Sequence, residues 1–139
     1  MHKAPLLDLD KISTFIFDFD GVLTDNVVFI DQNGIESVAC SRADGLAFDI
    51  LRRLKKQSYI LSTEKNQVVE ARANKLKIRV IQGINNKVNA LKDLKEEEGI
   101  DFSSVLYMGN DLNDYRAMQL CGISVCPADS HPKIKEISD

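Results

Sequence analysis

The sequence predicts an α/β protein: a doubly wound parallel sheet covered by helices on both faces, with a β-hairpin inserted after the first strand. Short, near-continuous apolar runs alternate with stretches whose apolar residues recur three and four positions apart, the patterns of buried parallel strands and amphipathic helices. No repeat, low-complexity tract or Pro/Gly-rich linker divides the 139 residues, so a single domain over 1–139 is expected. One segment alone, residues 26–40, breaks the alternation with two β-rich runs about a turn.

The first strand is expected at TFIFDF (14–19), followed by the hairpin NVVFIDQNGIESVAC, where Asp31, Asn33 and Gly34 supply the turn chemistry. DGLAFDILRRLKKQ then reads as a helix leading to a strand at SYILS (58–62). NQVVEARANKLK and NKVNALKDLKEEEG read as helices either side of IRVIQ (78–82). The remaining strands are SVLYMG (104–109) and ISV (123–125), with the helix DLNDYRAMQLCG between them. Gly99 and Gly122 stand where the last two of these helices should stop. A hairpin exposing Val27, Phe29 and Val38 invites a cover, so a subunit interface is expected there.

Bulk properties exclude some partners. A formal net charge of -3 offers no general attraction to nucleic acid or an anionic membrane. The N-terminal apolar run is too short for a signal peptide, and no window approaches the ~18 apolar residues of a membrane span. Three scattered cysteines suit a reducing, cytoplasmic setting better than a disulfide framework. Cys121, Cys126 and His131 match no zinc spacing and read as small core residues and a surface histidine.

The chemistry concentrates at strand ends. Asp18 and Asp20 close the first strand, Ser62 the second, Lys87 follows the third, and Asn110, Asp111 and Asp114 follow the fourth. In a parallel sheet these positions share one edge, so they converge on one pocket. Clustered carboxylates and a side-chain amide are hard oxygen donors suited to Mg²⁺, which would relieve the repulsion between Asp18 and Asp20 and keep Asp18 ionised. A nucleophilic Asp18, an Asp20 placed to move a proton, and Ser62 and Lys87 on the phosphoryl oxygens make a phosphate-ester hydrolase.

The same residues carry a resemblance. DFDGVLTD (18–25) resembles the first motif of the haloacid dehalogenase (HAD) phosphohydrolases; Ser62, Lys87 and GNDLND (109–114) resemble their second, third and fourth. The resemblance runs along nearly the whole chain and implies a Rossmann-like, HAD-type fold. Within the superfamily the hairpin, SRADG (41–45), QGINNK (82–87) and CPADSHPKIKEI (126–137) resemble a small capless subgroup. Its members hydrolyse octulosonate 8-phosphates and nonulosonate (sialic-acid-type) 9-phosphates as Mg²⁺-dependent homotetramers joined through their hairpins. The resemblance implies metal ligation by Asp18, Asp20, Asn110 and Asp111, support from Asp114, and substrate contacts from Asp44, Gly45, Glu64, Arg72 and Lys75. Glu64 stands where nonulosonate phosphatases tend to have Glu and octulosonate phosphatases Arg, which favours the nonulosonate.

Asn110 departs from the GDD form usual in the fourth motif, and the GND variant resembles the phosphatase-like domain of CMP-sialate synthases, where assembly outweighs catalysis. That is the first rival reading. A phospho-acceptor signalling domain, which places its acceptor on a central strand, is the second.

Overall fold

The computed structural model describes residues 7–139; the first six residues of the N-terminal run weighed above lie outside them. Along the chain the elements are β1 (Thr14–Phe17), β2 (Phe29–Ile30), β3 (Glu36–Ser37), α1 (Ala43–Arg53), β4 (Gln57–Leu61), α2 (Gln67–Leu76), β5 (Arg79–Ile81), α3 (Lys87–Glu98), β6 (Val105–Met108), α4 (Tyr115–Leu120), β7 (Ile123–Val125) and α5 (Pro132–Ile137). Five strands pair in parallel in the order β5-β4-β1-β6-β7, and β2 pairs with β3 as a separate antiparallel hairpin.

The order follows from the connections. From β1 the chain builds outward through β4 and β5, then returns across the sheet to lay down β6 and β7 on the other side. The carboxyl end of β1 is therefore the switch point, where the connections on its two sides diverge and open a crevice. Asp18 is the first residue beyond that end. Central position does not separate this chain from a signalling receiver, contrary to the criterion above, because its first strand is itself the middle of the sheet.

Strand alternation divides the core into two faces. Ile16, Tyr59, Leu61, Val105 and Tyr107 pack with Ala90, Leu91 and Leu94 of α3, Ala117 and Met118 of α4, and Ile134 of α5. On the other face Ile60 packs with Phe48 of α1 and with Val69, Ala73 and Leu76 of α2. Each Val, Leu, Ile, Met or Phe among them contributes roughly 1.5–3 kcal/mol by leaving water. No helix among the described residues is long and apolar enough to cross a membrane.

One expectation is revised, and two others gain detail. The last strand-connecting helix is shorter than the 111–122 periodicity suggests, beginning only at Tyr115, because 110–113 are held as a loop by Asp114. The segment 126–137 contributes α5, whose N-cap is His131; its Nδ1 accepts from Lys133 N at 3.2 Å. Cys121 and Cys126 pack against the larger core cluster, where burial pushes the Cys121 thiol up to about 12.

Gly99 ends α3 in the left-handed region, as the sequence suggests. Gly122 serves a different purpose. A Cβ there would lie 2.1 Å from the Ser103 carbonyl oxygen, a backbone atom in the turn just before β6. Gly122→Ala is therefore expected to cost about 1–3 kcal/mol by overpacking, read as a lower urea midpoint with unchanged slope. An unchanged midpoint would show that the two loops part easily.

Candidate active site

Each strand end contributes one part of the crevice. Asp18 N donates to Met108 O at 2.9 Å, continuing the β1–β6 ladder one residue past the strand and fixing where the carboxylate begins. On the other flank, Ser62 N donates to Ile81 O at 2.9 Å, which places the Ser62 hydroxyl at the end of β4. Asp18, Asp20, Ser62, Asn110 and Asp111 together line a cleft of about 330 Å³ with Asn26, Thr63 and Asn113.

Lys87 lies beneath this cleft. It is the first residue of α3, and a helix N-terminus is an unfavourable place for a cation. Two carboxylates offset this: Lys87 Nζ lies 2.9 Å from Asp18 Oδ1 and 2.6 Å from Asp114 Oδ1. Asn86 caps the helix, its side-chain oxygen accepting from Val88 N and Asn89 N.

Asp114 is fully buried and its acceptor sites are used. Oδ1 also accepts from the Tyr107 hydroxyl at 2.9 Å, and Oδ2 accepts from Asn110 N at 3.1 Å, with Asp111 N longer at 3.4 Å. Burial, with the charges of Asp114 and Asp18, pushes the Tyr107 phenol well above its ordinary value, so it remains a donor. Asp114 thus joins the Lys87 ammonium to the 110–113 loop and holds both against the sheet.

The buried group has two carboxylates and one ammonium. Burial pushes the Asp18 carboxyl up to about 7, with Lys87 pulling it down and Asp114 pushing it up. A further positive charge beside Asp18 would favour its ionised form. The geometry offers a position for one. The pocket-facing end of the Asn110 amide lies 3.1 Å from Asp18 Oδ2 and 3.0 Å from the Asp20 main-chain oxygen. With its nitrogen inward the amide donates to both; with its oxygen inward, three oxygens face one point, as a hard cation such as Mg²⁺ requires. Among the described residues no three His, Cys, Asp or Glu side chains group closely enough to hold a metal alone. The donor set is therefore a carboxylate, a peptide carbonyl and an amide. Gly21 makes it possible: its φ is +80°, and a Cβ there would lie 2.0 Å from Asn110 Nδ2.

Asp20 lines both this cleft and a second pocket of about 240 Å³, lined also by Glu36, Glu64 and Asn66. Burial, then the charges of Glu64 and Glu36, push the Asp20 carboxyl up, against a smaller pull from Lys87. A proton-donating role requires a shift in that direction. Asp111 lies at the exposed rim, and its Oδ1 accepts from Leu112 N at 2.7 Å.

Not every candidate gathers here. Gly45, Arg72 and Lys75 line a separate cavity between α1 and α2 with Arg42 and Leu76, and Asp44 lines a cleft beside Cys40. Helix α2 packs inward through Val69, Ala73 and Leu76, and neither Arg72 nor Lys75 lines the Asp18 cleft. Arg72 instead donates to Ser41 O at 2.8 Å; burial pushes the Asp44 carboxyl up, and the Arg72 charge offsets part of that rise. Asn26, Thr63, Asn113, Tyr107 and Glu36 are the site residues that sequence reasoning passed over. Asn26 had a signal, lying directly after the DFDGVLTD run.

A haloacid dehalogenase-like hydrolase family model matches residues 48–139. The 3-deoxy-D-manno-octulosonate 8-phosphate phosphatase KdsC of Salmonella typhi is 36% identical over 124 residues, 88% of this chain and 66% of that one. The chain thus spans just under two thirds of that curated relative's length. Among solved structures, a Streptomyces avermitilis MA-4680 protein assigned to the HAD family hydrolases is 44% identical with a TM-score of 0.92, over 96% of this chain and 76% of that one. The 3-deoxy-D-manno-octulosonate 8-phosphate phosphatase of Moraxella catarrhalis, in complex with magnesium ion, phosphate ion and KDO, is 30% identical with a TM-score of 0.89, covering 94% and 76%.

Proposed function

Because the chain belongs to the haloacid dehalogenase-like hydrolase family, we propose that it is a Mg²⁺-dependent phosphatase of a phosphorylated 2-keto-3-deoxy sugar acid. One observation carries the reading: Asp18, backed by Lys87 and facing Asn110 and the Asp20 carbonyl, stands at the switch point of the sheet.

In the proposed reaction an Asp18 carboxylate oxygen attacks phosphorus and the bond to the ester oxygen breaks. Asp20 delivers its proton to the departing alkoxide. The Asp18 acyl phosphate is then hydrolysed by a water that returns its proton to Asp20, releasing phosphate and freeing Asp18. Lys87 and the Ser62 hydroxyl hold the phosphoryl oxygens in line. Asp18, the Asp20 carbonyl and Asn110 would hold Mg²⁺, with Asp111 beside them at the rim. The bound ion supplies charge that offsets the phosphoryl oxygens and keeps Asp18 ionised.

The names of the relatives support octulosonate 8-phosphate as substrate, while Glu64, standing beside Asp20, supports a nonulosonate 9-phosphate. A side-by-side assay of phosphate release from the two esters, with Mg²⁺ and with EDTA, tests the proposal. Turnover of at least one is expected, lost in EDTA and restored by Mg²⁺. Absence of turnover on both, with the fold intact, would favour an assembly role. The hairpin is the observation behind that second reading: Phe29, Ile30 and Ile35 are 62%, 63% and 65% exposed. In the proposed enzyme residues 1–139 form one domain, and this apolar tip joins copies of it into a homotetramer.

A further inference from the structure

Besides the Thr24–Cys40 bridge at its base, the hairpin meets the catalytic edge through a side-chain hydrogen bond. Glu36, in β3, accepts a hydrogen bond at Oε2 from Asn66 Nδ2 at 3.1 Å. Asn66 is also the N-cap of α2, its Oδ1 accepting from Val68 N at 3.0 Å, and its own N–H donates to Glu64 Oε1 at 3.1 Å. Lys65 N donates to the same Glu64 oxygen at 2.9 Å. One asparagine thus ties the hairpin, the loop after β4 and the first turn of α2 together. The register allows it: Ile30 pairs with Glu36, and strand alternation then aims Glu36 toward α2 while its apolar neighbour Ile35 stays in solvent.

The tie encloses the 240 Å³ pocket next to Asp20. Val27, Val28, Val38 and Val68 form its apolar wall; Glu36, Glu64 and Asn66 lie on its polar side. Glu36 Oε1 and Glu64 Oε2 take no hydrogen bond from protein among the described residues. If Asp20 protonates the leaving oxygen, the carbon chain attached to that oxygen must continue on the Asp20 side. A wall of valines matches its C–H surface. Two free carboxylate oxygens match hydroxyl donors and repel an anion.

We propose that Glu36 is a positioning residue: through Asn66 it latches the hairpin over Asp20, and the pocket so formed selects phosphate esters whose leaving group carries hydroxyls next to the ester oxygen. The selectivity rests on the phosphatase reading above; the latch does not.

Two measurements test the two halves. Amide exchange of the 26–38 segment reads the latch without reference to turnover. Asn66→Thr keeps a capping oxygen but removes the amide donor, and is expected to speed exchange there about tenfold while leaving 87–98 unchanged. Glu36→Ala should do the same, and Glu36→Gln, which keeps an acceptor for Asn66, should restore protection to within about threefold. Unchanged exchange in Asn66→Thr and Glu36→Ala would overturn the latch.

The second measurement compares kcat/KM on a sugar-acid phosphate with that on p-nitrophenyl phosphate, whose leaving group has no hydroxyl beside the ester oxygen. Glu36→Ala is expected to lower the ratio about tenfold, mostly through KM on the sugar ester. A ratio that does not move overturns the selectivity. If the wild-type protein turns over neither ester, the phosphatase reading falls with the selectivity, and the exchange data still decide the latch.

Discussion

Asp18→Asn is expected to lower kcat on a sugar-acid phosphate by roughly 10³-fold or more while leaving the fold intact. The amide is nearly isosteric with the carboxylate and can still accept from Lys87 Nζ and from Phe19 N, which Asp18 Oδ1 holds at 2.9 and 2.7 Å. It cannot form the acyl phosphate, so the two-step route is lost and only direct attack by water, with Lys87, Ser62 and Asp20 still in place, remains. Stability should not fall in parallel. Asp18 is a carboxylate whose charged form burial disfavours, and Lys87 retains Asp114 when that charge is removed. In EDTA the variant is therefore expected to melt no lower than the wild type. Phosphate release and thermal unfolding on the same preparation separate the two effects. Residual turnover within tenfold of wild type would place the nucleophile elsewhere.

The parts of this site legible in sequence were those set by local pattern. Apolar runs of strand length fixed the five parallel strands to within a residue or two, because burial on both faces leaves little room for polar residues. Asp18, Ser62 and Lys87 followed from their places beside those strand ends. The Asp-Gln-Asn-Gly turn likewise announced a hairpin, and Asp31 Oδ1 does accept from Asn33 N and Ile35 N.

What escaped depends on partners distant in the chain. Asp114 looked like one more loop carboxylate, and its burial is visible only once Tyr107 and Lys87 arrive beside it from β6 and α3. Sequence does not say by which atom Asp20 would reach a metal; it is its peptide oxygen that faces Asn110. Glu36 lacked any signal, since its role rests on the hairpin register and on an asparagine thirty residues away. Arg72 and Lys75 were grouped with the site by resemblance, but the buried face of α2 sets them beside α1 instead.

Asp114→Ala carries the largest expected effect on stability, about 3–5 kcal/mol, or a fall of roughly 10–20 °C in Tm. The substitution leaves the Lys87 ammonium buried, with Asp18 as its remaining carboxylate partner. It also strips the Tyr107 hydroxyl and the Asn110 N–H of their acceptor in a part of the core where water does not replace it. The 110–113 loop then loses its tie to the sheet, and Asn110 its fixed approach to Asp18, so Mg²⁺ should bind more weakly as well. Asp114→Asn keeps an acceptor for Lys87 and Tyr107 but loses the charge and turns an amide N–H toward the Asn110 N–H, and is expected to fall between the variant and the wild type. Asp111→Ala is the control: Asp111 is exposed at the rim, and its loss should shift stability by less than about 0.5 kcal/mol. If Asp114→Ala and Asp111→Ala unfold at the same urea concentration, the buried carboxylate does not brace the site, and Lys87 must draw its support from Asp18 alone.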